Sequence, residues 1–366
     1  MRVRYSYLPQ QFDDVGSLWD DLRRLVDSGD FTLGAPVTEF ETCFADLIGT
    51  RHAIGVGSGT DALKLSLKAA GVGYGDEVVT AANTFIATAG AIAEIGATPV
   101  FIDCNDTFCV DVNQLEVAIT PKTKAIMPVH YTGYVADMPR IMAVAETRGL
   151  VVIEDACQAI LATTNGRKAG TWGLAAGFSL HPLKNLNVWG DAGIVVTDDD
   201  LAATLRLLRN HGMVSRDEIA VLGYNSRLDS LQAVVGNWLI GEAAAITEAR
   251  IANAAYYDDA LAGIPQITLP RRDVNSKIVY HLYIVFAEDR DGLYAHLRDR
   301  GVECKVHYPI LLHCQQGLAH LGYRAGDFPV AERHAAETIT FPVDQHLSRA
   351  EMDYVIDTVR GYYARG

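Results

Sequence analysis

The sequence predicts an α/β protein with two domains. The larger, over residues 1–245, has a mostly parallel central sheet sandwiched by helices; the smaller, over 246–366, is C-terminal and α+β. Three observations carry this. The 366 residues exceed what one ordinary core organises. Between residues 52 and 155, short apolar runs alternate with segments of helical periodicity. That alternation marks βαβ units with right-handed crossovers. Beyond residue 261 the rhythm changes to a strand, a helix and extended stretches.

The elements follow in order. Leu18, Leu22, Leu25 and Val26 are spaced for a helix over 17–28, and Pro36 opens a second over 36–48. HAIGVG, EVVT, TPVFID, KAIMPVH and LVVIED read as strands, with helices between them, among these 86–95 and 138–148. The strands are nearly continuous in apolar residues, so helices cover both sheet faces. GFSL and GIVVTD add two strands, and a helix over 201–210 follows. A long helical stretch over 230–261 joins the two domains. In the smaller one, VYHLYIVF is a strand, DGLYAHLRDRG a helix, VECKVHYP a strand or extended loop, and 349–362 the last helix.

Composition narrows the function. Hydrophobic residues are 49% and charged residues 21%, as in soluble globular proteins. The 31 basic and 45 acidic side chains leave a net charge of −14, which repels nucleic acid and anionic membranes. Neither is expected as a partner. The six cysteines are scattered without C-x-x-C or zinc spacing, so they read as reduced thiols and no metal site is expected. The first residues lack a signal-type apolar stretch and no window is apolar enough to span a membrane, which makes the cytoplasm the expected compartment.

Three features carry chemistry. Gly55-Val56-Gly57-Ser58-Gly59-Thr60 lies between a strand and a helix. Backbone N–H groups and hydroxyls at a helix start cradle a phosphate; the same turn also serves as a simple N-cap. It is neither a Rossmann G-x-G-x-x-G nor a P-loop. Glu154-Asp155 ends LVVIED, at the strand end where open α/β sheets bind ligands. The carboxylate there suits a metal, a base, a cationic ring nitrogen or a cap. Ser179-Leu180-His181-Pro182-Leu183-Lys184 follows another strand, where desolvation would free a lysine amine as a nucleophile. Alone, such a lysine is usually just exposed. Together, a phosphate cradle, a carboxylate and a nucleophilic lysine are what pyridoxal 5′-phosphate (PLP) requires.

The segments HAIGVGSGTDAL, GDEVVTAANTFIATAGAI, IEDACQA, FSLHPLKNL, RNHG, GYNSRLDSLQA and VHYPILLH resemble the DegT/DnrJ/EryC1/StrS sugar aminotransferases. The likeness covers nearly the whole chain and implies the PLP-dependent transferase fold of type I. It implies that Lys184 is the Schiff-base lysine and proton shuttle, with His181 beside it. Asp155 would pair with the pyridine nitrogen and Gln158 would contact the 3-hydroxyl side. Ser58, Gly59, Thr60 and Ser179 would hold the phosphate, and Phe85 would stack on the ring. Asn225 would reach the phosphate of the neighbouring subunit, which implies a homodimer with shared sites. His307, Tyr308 and His313 would line the substrate side, and Arg227 would serve the donor carboxylate or the structure. The implied reaction moves an amino group from L-glutamate to a keto group of a nucleotide-linked sugar, leaning to C3, through pyridoxamine 5′-phosphate.

The sequence departs from the family pattern at Ile160-Leu161, where His-Gly is common, and at Asn187 and Trp189, where smaller residues are common. The first change predicts a more apolar wall near the cofactor. Two other functions exist among similar proteins. Sugar dehydratases of the colitose-pathway type replace the lysine with His, whereas Lys184 is retained here. Regulators form the second class, and the intact Lys184, Asp155 and Gln158 weigh against it. His130 reads as a structural histidine. Trp19, Trp172 and Trp238 read as packing residues, and His320, His334 and His346 as surface or interface groups.

Overall fold

The structure is a computed structural model and describes residues 1–364. Seven strands build the central sheet: β1 His52–Val56, β2 Glu77–Ala81, β3 Thr98–Ile102, β4 Thr123–Ile126, β5 Val151–Asp155, β6 Ala175–Ser179 and β7 Gly193–Thr197. Their order across the sheet is β1-β7-β6-β5-β4-β2-β3. All neighbours run parallel except β7, which is antiparallel to both β1 and β6.

Alternate strand residues feed two cores, because successive side chains point to opposite faces. Ile54, Ile153 and Val195 pack on one side with Leu63, Leu65 and Leu205. Ala53, Val152 and Val196 pack on the other with Phe40, Phe44 and Ile141. The covering helices include α1 Gly16–Ser28, α2 Ala35–Ile48, α3 Gly59–Ala69, α4 Ile86–Glu94, α5 Met138–Arg148 and α6 Leu201–Arg209.

The long helix expected over 230–261 is two helices, α7 Ser230–Ile240 and α8 Ala243–Leu261. They part at Gly241, a weak helix former. A third core gathers α8, α9 Arg290–Asp299 and α11 Arg349–Tyr363 around the antiparallel strands β8 Ile267–Thr268, β9 Tyr283–Ala287 and β10 Thr338–Phe341. VECKVHYP is extended loop, which bridges to the sheet where Lys305 pairs with Thr340. Helix α10 Pro329–Glu337 packs with Phe101, Leu311 and Leu318 in a smaller separate core.

The start of the chain packs with this third core, not with the large domain to which residues 1–245 were assigned. Val3 and Tyr7 are buried in it, and the Val3 N–H donates to the Gly301 carbonyl at 2.9 Å. Among the described residues, no helix is long and apolar enough to cross a membrane.

Candidate active site

The strand ends of β1, β5 and β6 bring the predicted residues to one edge. After β1 the chain turns into α3, with Ser58 as N-cap and its Oγ accepting from the Asp61 N–H at 3.1 Å. The Gly59 and Thr60 N–H groups lie in the first helical turn, where no intrahelical acceptor exists. Gly59 is required by packing: a Cβ there would lie 2.6 Å from the Ser179 Cβ. Gly193, which opens β7, is required likewise, since its Cβ would meet the Ser58 carbonyl oxygen at 2.1 Å. Ser58, Gly59, Thr60 and Ser179 therefore meet across the start of β7. Ser179 Oγ also accepts from the His181 N–H at 3.4 Å.

At the end of β5, two adjacent carboxylates do different work because they face opposite sides of the sheet. Glu154 is fully buried. It accepts from the N–H groups of Gly170, Trp172 and Gly173 at 2.7–2.8 Å, and its Oε2 lies 2.8 Å from His130 Nε2. His130 Nδ1 accepts from the Ala136 N–H, which places the ring proton on Nε2 and gives His130 a structural role. Asp155 faces the site. Its Oδ2 accepts from the Thr88 hydroxyl at 2.7 Å and its Oδ1 from the Cys157 N–H at 3.2 Å. Thr84 lies 2.8 Å from Thr88, hydroxyl to hydroxyl. The expectations drawn from sequence contained neither threonine, although both lie in the TAANTFIATAG segment.

Lys184 sits on the turn after β6. Its N–H donates to the His181 carbonyl at 2.8 Å, and Asn187 Nδ2 donates to its carbonyl at 3.0 Å. Burial lowers the amine's pKa, against an upward pull from Cys157 and Asp155. Lys184 lines two small cavities. One also contains Gln158, Ser179, Ile160 and His281, and the other Asn187, Arg250, Gln345 and again His281. Ile160 thus supplies the apolar wall that the sequence predicts. His281 is a further site residue that sequence reasoning missed. His181 is exposed. Its Nδ1 accepts from the Leu183 N–H at 3.2 Å, and desolvation lowers its pKa, with Asp191 opposing and Lys184 adding.

Around this centre, Gln158 Oε1 accepts from the Thr132 N–H at 2.8 Å. The Tyr308 phenol, hydrogen-bonded to Gln158, is pushed above its ordinary pKa by burial and by Asp155. Phe85, half exposed at the N-cap of α4, has its ring 5.8 Å from that of Tyr308. His307 Nδ1 lies 2.9 Å from Thr340 Oγ1, and burial, with Lys305 and Lys184, lowers its pKa to about 4.

Two expected site residues stand apart. The His313 side chain is fully buried, with Nε2 2.9 Å from Glu332 and its ring edge-on to Phe328. It is a packing residue beside α10, and the substrate-side expectation for it is corrected. Asn225 is exposed between α6 and α7, where it bridges to Asn210. Its neighbour Ser226 accepts from the Gly57 N–H at 3.2 Å. Arg227 Nη1 donates to Asn210 at 3.1 Å, which fits the structural alternative. One further expectation is corrected: His334 is buried, with Nδ1 3.4 Å from Cys104 Sγ. Trp19 is half exposed and packs its ring 5.5 Å from that of Trp189.

The sequence profile of the DegT/DnrJ/EryC1/StrS aminotransferase family matches residues 15–360. The chain belongs to that family. A pleiotropic regulatory protein of Geobacillus stearothermophilus is 42% identical over 371 residues, covering 99% of each chain. A dTDP-3-amino-3,4,6-trideoxy-α-D-glucose transaminase of Streptomyces venezuelae is 39% identical, covering 97% of this chain and 96% of that one. Among solved structures, DesV of S. venezuelae in complex with a ketimine intermediate superposes with a TM-score of 0.97, at 39% identity, over 100% of this chain and 99% of that one. NtdA of Bacillus subtilis, with its cofactor PMP bound, gives 0.93 at 31% identity, over 99% and 85%. The fold is therefore that of the family's aminotransferases.

The structure also places the two departures at Asn187 and Trp189. Trp189 packs its ring near Phe12 and Trp19, outside both cavities, so it belongs to an aromatic group at the chain start. Asn187 is buried and ties the Lys184 turn to Gln11. In this family member the cradle that a Cβ at Gly59 would fill, the buried Asp155 and the desolvated Lys184 together fit PLP: an anionic phosphate, a cationic ring nitrogen and a carbonyl carbon that takes an amine.

Proposed function

We propose that this aminotransferase uses PLP to move an amino group from L-glutamate to the C3 keto group of a nucleotide-linked sugar. One observation carries the reading: Lys184, Asp155 and the Ser58-Gly59-Thr60/Ser179 cradle meet at one sheet edge. The names of the relatives, among them the S. venezuelae dTDP-sugar transaminase and a UDP-N-acetyl-3-dehydro-α-D-glucosamine 3-aminotransferase of Acidithiobacillus ferrooxidans, support a sugar acceptor aminated at C3.

When bound, the cofactor supplies an electron sink conjugated to the amine it carries. The residues supply placement and proton transfer. The Ser58 and Ser179 hydroxyls and the Gly59 and Thr60 N–H groups hold its phosphate at the start of α3. Asp155, steadied by Thr88, keeps a proton on the ring nitrogen. Gln158 faces the 3-hydroxyl side, and Phe85 covers the ring. Lys184 would hold the cofactor's carbonyl carbon and, once free, would carry the proton. Its lowered pKa keeps more of the amine unprotonated. Positioned general acid–base groups of this kind contribute about 10² to 10⁴ in rate. His181 stands beside the lysine, and His307 and Tyr308 line the substrate side. Glutamate leaves as 2-oxoglutarate, and the sugar receives the amine by the reverse route.

The active unit is a homodimer in which Asn225 serves the partner's phosphate cradle. Exposed Val214, Ile219, Val221 and Leu222 surround that segment and suit burial against a second subunit. The compartment is the cytoplasm. A regulatory role is the second reading, favoured by the name of the G. stearothermophilus relative. One experiment separates them. The enzyme is loaded with pyridoxamine phosphate and offered 3-keto and 4-keto dTDP- and UDP-sugars. Recovery of the PLP absorbance with a 3-keto sugar supports the proposal, a 4-keto preference overturns C3, and no recovery with any keto sugar favours regulation.

A further inference from the structure

His281 precedes β9, in the sequence VYHLY, and its backbone is clamped. Arg250 donates through Nη2 to the His281 carbonyl at 3.2 Å and through Nε to the Tyr280 carbonyl at 3.0 Å. The imidazole lines both cavities that flank Lys184. Its Nδ1 is buried and has no hydrogen-bond partner among the described residues. A buried polar atom left unpaired costs free energy, and such atoms in native proteins call for an explanation. The clamp holds the backbone that carries the ring, and the ring shares both cavities with the one side chain whose amine must be repeatedly freed.

We propose that His281 is a positioning residue whose Nδ1 accepts a hydrogen bond from the Lys184 amine whenever that amine is free. This rests on the reading of Lys184 as the lysine that holds the cofactor. The amine is the donor and the imidazole the acceptor, and no proton changes hands. Neutrality is built in: desolvation disfavours the imidazolium, and Lys184, Arg250, His307 and His181 all face it as further positive or potentially positive groups. On the other side of Lys184, Asp155 and Cys157 favour the ammonium. A neutral acceptor at this point steers the released amine towards the reacting carbon without competing for its proton.

His281→Phe keeps the bulk and removes the acceptor, and His281→Asn keeps an acceptor. In cofactor-free protein, the pH dependence of imine formation with added PLP reports the Lys184 pKa. A hydrogen bond to a charged group favours the ammonium, so the Phe variant should titrate about one unit lower. The Asn variant should lie near the wild type. With glutamate, kcat for the Phe variant should fall about tenfold with KM little changed, again with rescue by Asn. Wild-type titration and kcat in the Phe variant overturn the proposal. So does an Asn variant as impaired as Phe while both match the wild-type unfolding midpoint. If Phe does not fold, failure of Asn to hold the wild-type titration overturns it. Borohydride reduction and peptide mapping keep the two readings distinct, because a pyridoxyl group on a residue other than Lys184 refutes the lysine assignment itself.

Discussion

The Thr88 hydroxyl donates to the Asp155 carboxylate at 2.7 Å, joining the first turn of α4 to the end of β5. Helix α4 is preceded by Phe85 at its N-cap, so one short segment carries both the ring that packs near Tyr308 and the hydroxyl that steadies the buried carboxylate. Thr88→Val keeps the shape and removes the donor. Because a hydrogen bond to a charged group contributes about 1.5–3 kcal/mol, PLP affinity should fall about 10- to 100-fold. Equilibrium titration of the cofactor absorbance checks this, and unchanged affinity would refute the role.

Lys184→Ala should bind PLP without a covalent link and should lose transamination. Single-turnover assays with glutamate are decisive: wild-type rates in this variant would refute the lysine assignment.

Gly59→Ala forces a Cβ to 2.6 Å from the Ser179 Cβ. Overpacking of this kind costs about 1–3 kcal/mol. Both the unfolding midpoint and PLP affinity should drop. Adding Ser179→Gly removes the opposing Cβ and should recover much of the stability, but not the affinity, since the Ser179 hydroxyl is lost. Additive losses in the double variant would argue against the clash.

Glu154→Ala strips an acceptor from three backbone N–H groups and from His130. Breaking one side of a buried charged network costs about 3–5 kcal/mol, so denaturant unfolding should shift by that amount. Glu154→Gln, which retains one oxygen, should be intermediate.

His307 and His334 both have folded-state pKa values of about 4, mainly from burial. The unfolded chain binds these protons near pH 6.5. A depressed folded value means that the unfolded state binds more protons as pH falls. Stability is therefore full above about pH 6.5 and declines between there and about pH 4. Urea titrations across this window should show the decline, and His334→Gln should make it shallower.

Much of the site was legible because its residues punctuate apolar runs. Asp155 ends LVVIED, Ser58 follows HAIGVG, and Lys184 follows GFSL, so a change from apolar to polar marks each position. Thr88 carries no such mark. It lies among alanines in a small-residue helix, and its partner is 67 residues away. His281 was hidden by its setting, since VYHLYIVF reads as a plain buried strand. His334 was misplaced because a histidine reads the same on a surface as against Cys104, and His313, expected on the substrate side from the family likeness, packs against Phe328; tertiary packing alone decides both. The placement of Val3 and Tyr7 in the third core depends on a bridge to Val302, a pairing of distant segments that local pattern does not encode.

Strand β7 carries none of the residues assigned to the reaction, yet it lies between β1 and β6, whose ends supply the two sides of the cradle. Neighbouring strands are spaced by about 4.8 Å, so β7 acts as a shim that sets the width of the anion pocket. Random mutagenesis scored by cofactor retention should therefore return hits along Gly193–Thr197, although none of these residues is assigned a role in the reaction. Those hits would be errors of spacing, and no change to the chemistry at Lys184 would repair them.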